Sequence, residues 1–276
     1  MIIKTDKYSY QKMSILSKII FTILLFITIL GPAKADDNGI ESIENESSDY
    51  EKSMYNEEIY DPFEPVNRVI FKFNNVADKI VLEPVSKGYR KLPAPVQTGV
   101  GNFFNNLKLP LVIFNQFLQG QFGNAAGSAG RLVINSTVGL GGLVDVAEKF
   151  GLEQQEEDFG QTLATWGVGD GPYLVLPIFG PSNLRDAAGL VVSSATDPVN
   201  VYLADQGEGE WIVYRTTGNA VNQRARIIDE VNTLRENSVD YYSAVKSAYH
   251  QNRYAAIRDR DDDQLTPIPV ISVEFE

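Results

Sequence analysis

The amino-acid sequence predicts a mainly α-helical protein with few or no strands; two observations carry that expectation and a third bounds its chemistry. Apolar residues recur at three- and four-residue spacing through most of the region from Pro62 to Arg258, the period of helices that bury one face. Strand-like alternation is confined to one short stretch, Tyr173 to Ile178. No cysteine occurs among the 276 residues, so the body is held by its core without disulfides and has neither a thiolate zinc site nor a thiol nucleophile.

Taken in order, Met1 to Ala35 has the three zones of a cleavable export signal. Lys4, Lys7, Lys12 and Lys18 form the basic start, Ile19 to Leu30 the apolar run, and Ala33-Lys34-Ala35 the small-residue cut site. The apolar run is 12 residues long, short of the roughly 20 that a membrane-crossing helix needs. The working protein is therefore expected to start near Asp36 and to reside outside the cytoplasm. Residues 36–61 are acidic and poor in large apolar side chains, and 259–276 are similar, with Asp261-Asp262-Asp263 followed by Pro267 and Pro269. Both read as disordered, since they cannot bury enough apolar surface to offset the entropy of ordering. Residues 62–258 remain as one folded domain, with no internal repeat. Removing Met1–Ala35, which carries five lysines and one aspartate, takes the net charge from −12 to −16. Such a balance argues against nucleic acid, whose phosphates require a basic face.

Within the folded region Val66, Val69, Ile70, Phe73, Ala77 and Ile80 predict a helix with Pro65 in its first turn. Val96, Val100, Phe103, Phe104 and Leu107 predict a second. Leu111 to Leu118 is a nearly continuous apolar run, too brief to span a membrane but suited to burial on several sides or to a bilayer interface. Gly123, Ala126, Gly127 and Gly130 place small residues where helix backbones could approach closely. Ile212 to Leu234 fits a long amphipathic helix only loosely, and a last helix is expected over 239–257.

The chemical motifs are few. The glycine-rich segment Trp166-Gly167-Val168-Gly169-Asp170-Gly171-Pro172-Tyr173 lacks the G-x-G-x-x-G order of a dinucleotide fingerprint and the Lys-Ser/Thr of a phosphate loop. It reads either as a tight structural turn or as a hinge, because glycine reaches backbone conformations closed to other residues. Ala126-Gly127-Ser128-Ala129-Gly130 approaches the G-x-S-x-G nucleophile elbow and leaves a serine phospholipase using Ser128 as the rival reading, with His250, the single histidine, as its base. One histidine excludes an HExxH zinc site. Glu156-Glu157-Asp158 reads as a solvated charge run.

Several longer motifs point further. Asp61-Pro62-Phe63-Glu64-Pro65-Val66-Asn67-Arg68, Phe71 to Asn75, Asn102-Phe103, Asn115 to Gly120 and Asn135 to Asp145 resemble the VacJ/MlaA family. Phe159 to Leu163, Trp166 to Tyr173, Leu176-Pro177, Gly180-Pro181-Ser182 and Arg185-Asp186 extend that resemblance over roughly 60–258. It implies a ring-shaped bundle of amphipathic helices lying in one leaflet of the outer membrane around a channel. The implied work is to take misplaced phospholipids from the outer leaflet and pass them to a periplasmic lipid-binding shuttle, without a cofactor, metal or catalytic residue. A trimeric porin is a further implied partner. By the same resemblance the loop of Gly167, Gly169 and Gly171, closed by Tyr173, sits at the channel mouth and controls opening. Phe73 and Asn74 lie on a helix that influences the gate. Typical members carry an acylated cysteine after the signal. This sequence has none, so attachment without a cysteine-linked lipid is expected, through the helical body.

Overall fold

Proline suits the first turn of a helix because the N–H it lacks would have had no partner there, and Pro65 opens α1 (Glu64–Ala77) in this way. The computed structural model describes residues 59–258. The predicted signal, the acidic stretch up to Glu58 and the acidic tail lie outside the described residues. After α1 come a π turn (Asp78–Leu82) and α2 (Glu83–Tyr89). The second predicted helix and the apolar run after it form one element, α3 (Ala94–Leu118), with Pro110 inside. Then follow α4 (Phe122–Thr137), a 3-10 turn (Ala147–Phe150) and α5 (Phe159–Thr165). The predicted alternation becomes β1 (Tyr173–Leu176), which pairs antiparallel with β2 (Gly180–Asn183), Tyr173 facing Asn183 and Leu176 facing Gly180. The chain ends in α6 (Leu184–Thr196), α7 (Pro198–Asp205), α8 (Glu210–Arg226), α9 (Ile228–Asn237) and α10 (Tyr241–Arg258). The loosely periodic stretch over 212–234 is thus two helices, interrupted at Ile227.

Within the span read as one domain, the described chain divides into two compact units built from separated segments. One comprises Asn102–Glu156 and Val191–Gly218. Its organising helix is α4, whose buried residues are Ala125, Ser128, Arg131 and Asn135, whereas Phe122 and Val133 are exposed. Arg131 pairs with Asp145 and reaches the Leu152 carbonyl. The Asn135 amide donates to Asp145 at 3.0 Å and accepts the Val146 and Ala147 N–H groups, both at 2.9 Å. These bonds fold the loop after α4 back onto it. Arg215 ties α8 to α7 and α3 by donating to Asp197 at 2.8 Å, Asn200 at 2.9 Å and the Leu107 carbonyl at 3.0 Å.

The second unit comprises Ile59–Gly101, Glu157–Leu190 and the chain from Asn219 onward. Its core is Tyr173, Val175 and Tyr242, with Ile59, Ile70, Phe71 and Tyr249 packed against them. Contacts begin before Pro62, since Asp61 accepts hydrogen bonds from Asn67 at 2.8 Å, Lys246 at 3.2 Å and the Tyr242 hydroxyl. The close backbone approach expected at Gly123 and Gly127 is not found there, for nothing lies within 4 Å of a Cβ at either position. It occurs instead between α5 and α6, where a Cβ on Gly189 would stand 2.5 Å from the Gly160 nitrogen.

The partition of residue types is reversed relative to a water-soluble helical protein. Among the described residues, 18 polar or charged side chains are buried against 12 apolar ones, while 31 large apolar side chains are exposed. In water such an arrangement would leave much apolar surface hydrated, at about 25 cal/mol per Å². No helix of the described residues is long and apolar enough to cross a membrane.

Candidate functional site

A helix side chain can replace a strand only if it carries both a donor and an acceptor, and the carboxamide of asparagine does. Asn67, buried on α1, donates from Nδ2 to the Tyr173 carbonyl at 3.0 Å and accepts the Val175 N–H through Oδ1 at 2.9 Å. Two turns later Asn74 donates to the Leu176 carbonyl at 2.9 Å and accepts the Ile178 N–H at 2.8 Å. Seven helical residues rise about 10.5 Å and three strand residues about 10 Å, so the spacing of the two amides matches the strand they grip. The Tyr173 N–H is taken by the Tyr60 carbonyl at 2.9 Å. The outer edge of β1 is therefore occupied by Tyr60 and Asn67, while Asn74 holds the turn at its far end. That turn is strained and apolar: Ile178, β-branched, has φ +69°, a region such residues rarely enter, and Ile178 and Phe179 are exposed.

At the other end of β1 lies the glycine loop. It grows out of α5, which starts with a reciprocal cap in which the Gln161 N–H donates to Asp158 at 2.9 Å and the Asp158 N–H donates to the Gln161 side chain at 3.1 Å. The helix ends in a Schellman turn: Gly167, at φ +83°, donates to the Ala164 carbonyl at 2.9 Å, and Val168 donates to Leu163 at 3.0 Å. Gly171 is also left-handed, at φ +66°, and a Cβ there would lie 3.1 Å from Leu184. Gly169 has open space around it and no left-handed backbone. Two of the three glycines thus have structural reasons for being glycine, and the middle one has none in this conformation.

The loop is backed by ionic contacts. Arg185 pairs with Asp170 and with Asp186, the latter at 3.0 Å. Arg253 of α10 grips Asp158 with two bonds of 2.6 and 2.7 Å and reaches Asp186 at 3.0 Å. Burial works against the charge on Asp158, but the Arg253 guanidinium and the N–H groups of Gln161 and Gly160 outweigh it and hold the carboxyl below its usual range. Asp158 is therefore not part of a solvated charge run; its reading as such fails because a helix cap and an arginine engage it. Burial, reinforced by the charge of Asp61, pushes the Tyr173 hydroxyl well above the usual phenol range.

The predicted site residues fall on one framework but not at one point. Tyr173 is 2 % exposed and belongs to the aromatic core, with ring centroids 6.2 Å from Tyr242 and 6.0 Å from Tyr249. Gly167, Gly169 and Gly171 precede β1, whereas Asn74 contacts its opposite end and Phe73 beside it is exposed. Sequence reasoning gave no role to Asn67, although two asparagines seven residues apart in an apolar helix were a visible signal. The pairs Asp170–Arg185 and Asp158–Arg253 carried none, since partners 15 and 95 residues apart are joined only by the fold. Ser128 lies in the middle of α4 and is buried; the strand–turn–helix of a nucleophile elbow is not present at 126–130.

Comparison with known proteins identifies the architecture. Residues 59–256 match the MlaA lipoprotein family. The intermembrane phospholipid transport system lipoprotein MlaA of Escherichia coli (strain K12) is 35% identical over 196 residues, which is 69% of this chain and 76% of that protein. An uncharacterised protein of Rickettsia bellii (strain RML369-C) is 38% identical over 203 residues, covering 73% of this chain and 78% of its own. A solved structure, described as the structural basis for maintenance of bacterial outer membrane lipid asymmetry, superposes with a TM-score of 0.60 at 36% identity, covering 71% of this chain and 98% of the other.

Proposed function

The chain belongs to the MlaA lipoprotein family, and on that premise we propose that it is the outer-membrane component of an intermembrane phospholipid transport system. In this reading it withdraws misplaced phospholipids from the outer leaflet and hands them to a soluble lipid-binding shuttle in the periplasm. The observation that carries the reading is the reversed partition of side chains among the described residues, with 31 large apolar residues exposed and buried positions rich in Asn, Gln, Ser, Thr and Arg. A surface of that kind offers lipid tails an apolar path. A lipid moved along such a path keeps its acyl carbons from water, which would otherwise cost about 0.8 kcal/mol for each CH₂. With no cysteine among the 276 residues, attachment falls to this apolar surface rather than to a thioether-linked lipid.

The loop of Gly167, Gly169 and Gly171 serves as the gate, with Tyr173 as its fixed end, Asn74 holding the hairpin beyond and exposed Phe73 beside it influencing the same gate. Gly169, free of steric and backbone demands, is the residue whose replacement tests movement rather than folding. Gly169→Pro is expected to leave the helical content intact and to change the amount of phospholipid exposed at the cell surface. Deleting the whole chain should raise surface-exposed phospholipid, and Ser128→Ala should not. An unchanged surface in the deletion strain would overturn the transport reading; loss of function in Ser128→Ala with release of fatty acid in the parent would replace it with hydrolysis.

A further inference from the structure

Between the left-handed pivots Gly167 and Gly171, residues 168–170 are held at two places. At one end the Val168 N–H belongs to the helix cap of α5. At the other, Asp170 is engaged twice by Arg185, which donates its main-chain N–H to the Asp170 carbonyl at 3.2 Å and its guanidinium to the carboxylate. The two partners are unequal. The Arg185 side chain is 3 % exposed and that of Asp170 is 46 % exposed.

Arg185 is fixed from behind. Its Nε donates to Asp186 at 3.0 Å, and Asp186 also accepts from Asn183 at 3.1 Å, from Arg253 at 3.0 Å and from the Tyr249 hydroxyl. The carboxylate behind the arginine is thereby tied to β2 and α10. An immobile cation faces an exposed anion that rides on a glycine-flanked segment. Motion of the loop about its two pivots must break this pair, while Asn67 and Tyr60 keep Tyr173 in place just beyond it.

We propose that Arg185 is a positioning residue for the glycine loop and that its ion pair with Asp170 is an electrostatic latch that holds the loop in the position seen here. The functional meaning of the latch rests on the reading of the loop as a lipid gate; its physical existence does not. An exposed carboxylate is screened by salt, with a Debye length that falls from about 10 Å at 0.1 M to about 3 Å at 1 M, so the latch weakens as ionic strength rises.

Because the sequence contains no cysteine, introduced thiols carry labels without background. Spin labels at Gly169→Cys, where nothing lies within 4 Å of a Cβ, and at Gln251→Cys, exposed on α10, report the loop against its own unit in detergent-solubilised full chain. The parent is expected to give one dominant distance. Asp170→Asn should raise the ratio of displaced to latched loop about threefold to fivefold, the range expected for losing one half-exposed ion pair. Salt at 1 M should shift the parent in the same direction and leave Asp170→Asn unaffected, and Asp170→Glu should retain the salt response. A distance distribution identical in parent and Asp170→Asn overturns the latch. If Asp170→Asn frees the loop yet surface phospholipid stays at the parental level, the latch stands and the gate reading falls. If the distances stay the same while Gly169→Pro changes surface phospholipid, the gate stands and the latch is wrong.

Discussion

The carboxamide of Asn67 satisfies a strand carbonyl and a strand N–H at once, inside a core where neither could find water. Asn67→Ala should lower the unfolding free energy by about 3 kcal/mol, because two buried backbone groups lose their partner and an unmade buried bond costs about 1–3 kcal/mol. Asn74→Ala should cost only about 1 kcal/mol, since the turn it holds is exposed and water can replace it. Urea titration of the detergent-solubilised protein compares the two. The glycines divide in the same way. Gly171→Ala forces a side chain into a left-handed backbone and against Leu184, an expected loss of about 1–2 kcal/mol, whereas Gly169→Ala should stay within about 0.5 kcal/mol of the parent. Sequence alone marked all three glycines as one group. Their separate roles follow from φ values and from what stands beside each Cα, which no spacing rule encodes.

Among the elements, α10 shows how a helix with little apolar burial is fixed. Its Arg253 binds the cap of α5 and the first turn of α6, so Arg253→Met should cost about 2 kcal/mol by leaving half-exposed Asp158 without its cation and Asp186 with Arg185 alone. Thermal unfolding of the variant checks this. Acid should find the same weakness. Asp158 and Asp78 are both held below their free values, near 3.8: burial opposes the charge in each, and Arg253 for one, Arg224 and Arg235 for the other, overcome it. A carboxylate depressed in the fold binds its proton more tightly when unfolded, so its contribution is complete above about pH 4 and is lost as pH falls through the lowered values. The melting temperature should be level near pH 6 and drop below about pH 4, less steeply in Asp158→Asn. Helices α1 and α10 were legible because Val66, Val69, Ile70 and Phe73, or the uninterrupted run after Val239, kept one period. The break at Ile227 was not, since Ile227 and Ile228 carry no stop signal; nor was the union of 94–107 with 111–118, because Pro110 ordinarily argues for an end.

For the molecule as a whole, the exposed apolar residues set where it can be stable. A chain of net charge −12, or −16 without Met1–Ala35, has no excess of cations to draw it to anionic head groups, so its hold on a membrane should be apolar: high-salt washing should leave it in the membrane fraction and detergent should release it. The triple variant Val66→Asp, Val69→Asp and Ile80→Asp, all at exposed positions, should shift it toward the soluble fraction without loss of helical signal, as sedimentation and circular dichroism would show. The sequence showed that the chain is helical, yet the reversed partition escaped it, because Val69 and Ile70 have the same composition signature although one is exposed and the other packs on the core. The hairpin carries a last consequence. A strand with a bare rim invites the same strand of a second molecule to add to it, and here the rim of β1 is occupied by the Tyr60 carbonyl and one amide of a neighbouring helix. The bonds that hold the hairpin on its helix therefore also keep that rim from a second copy, and the protection is shared by Tyr60, Asn67 and, at the Leu176 end, Asn74.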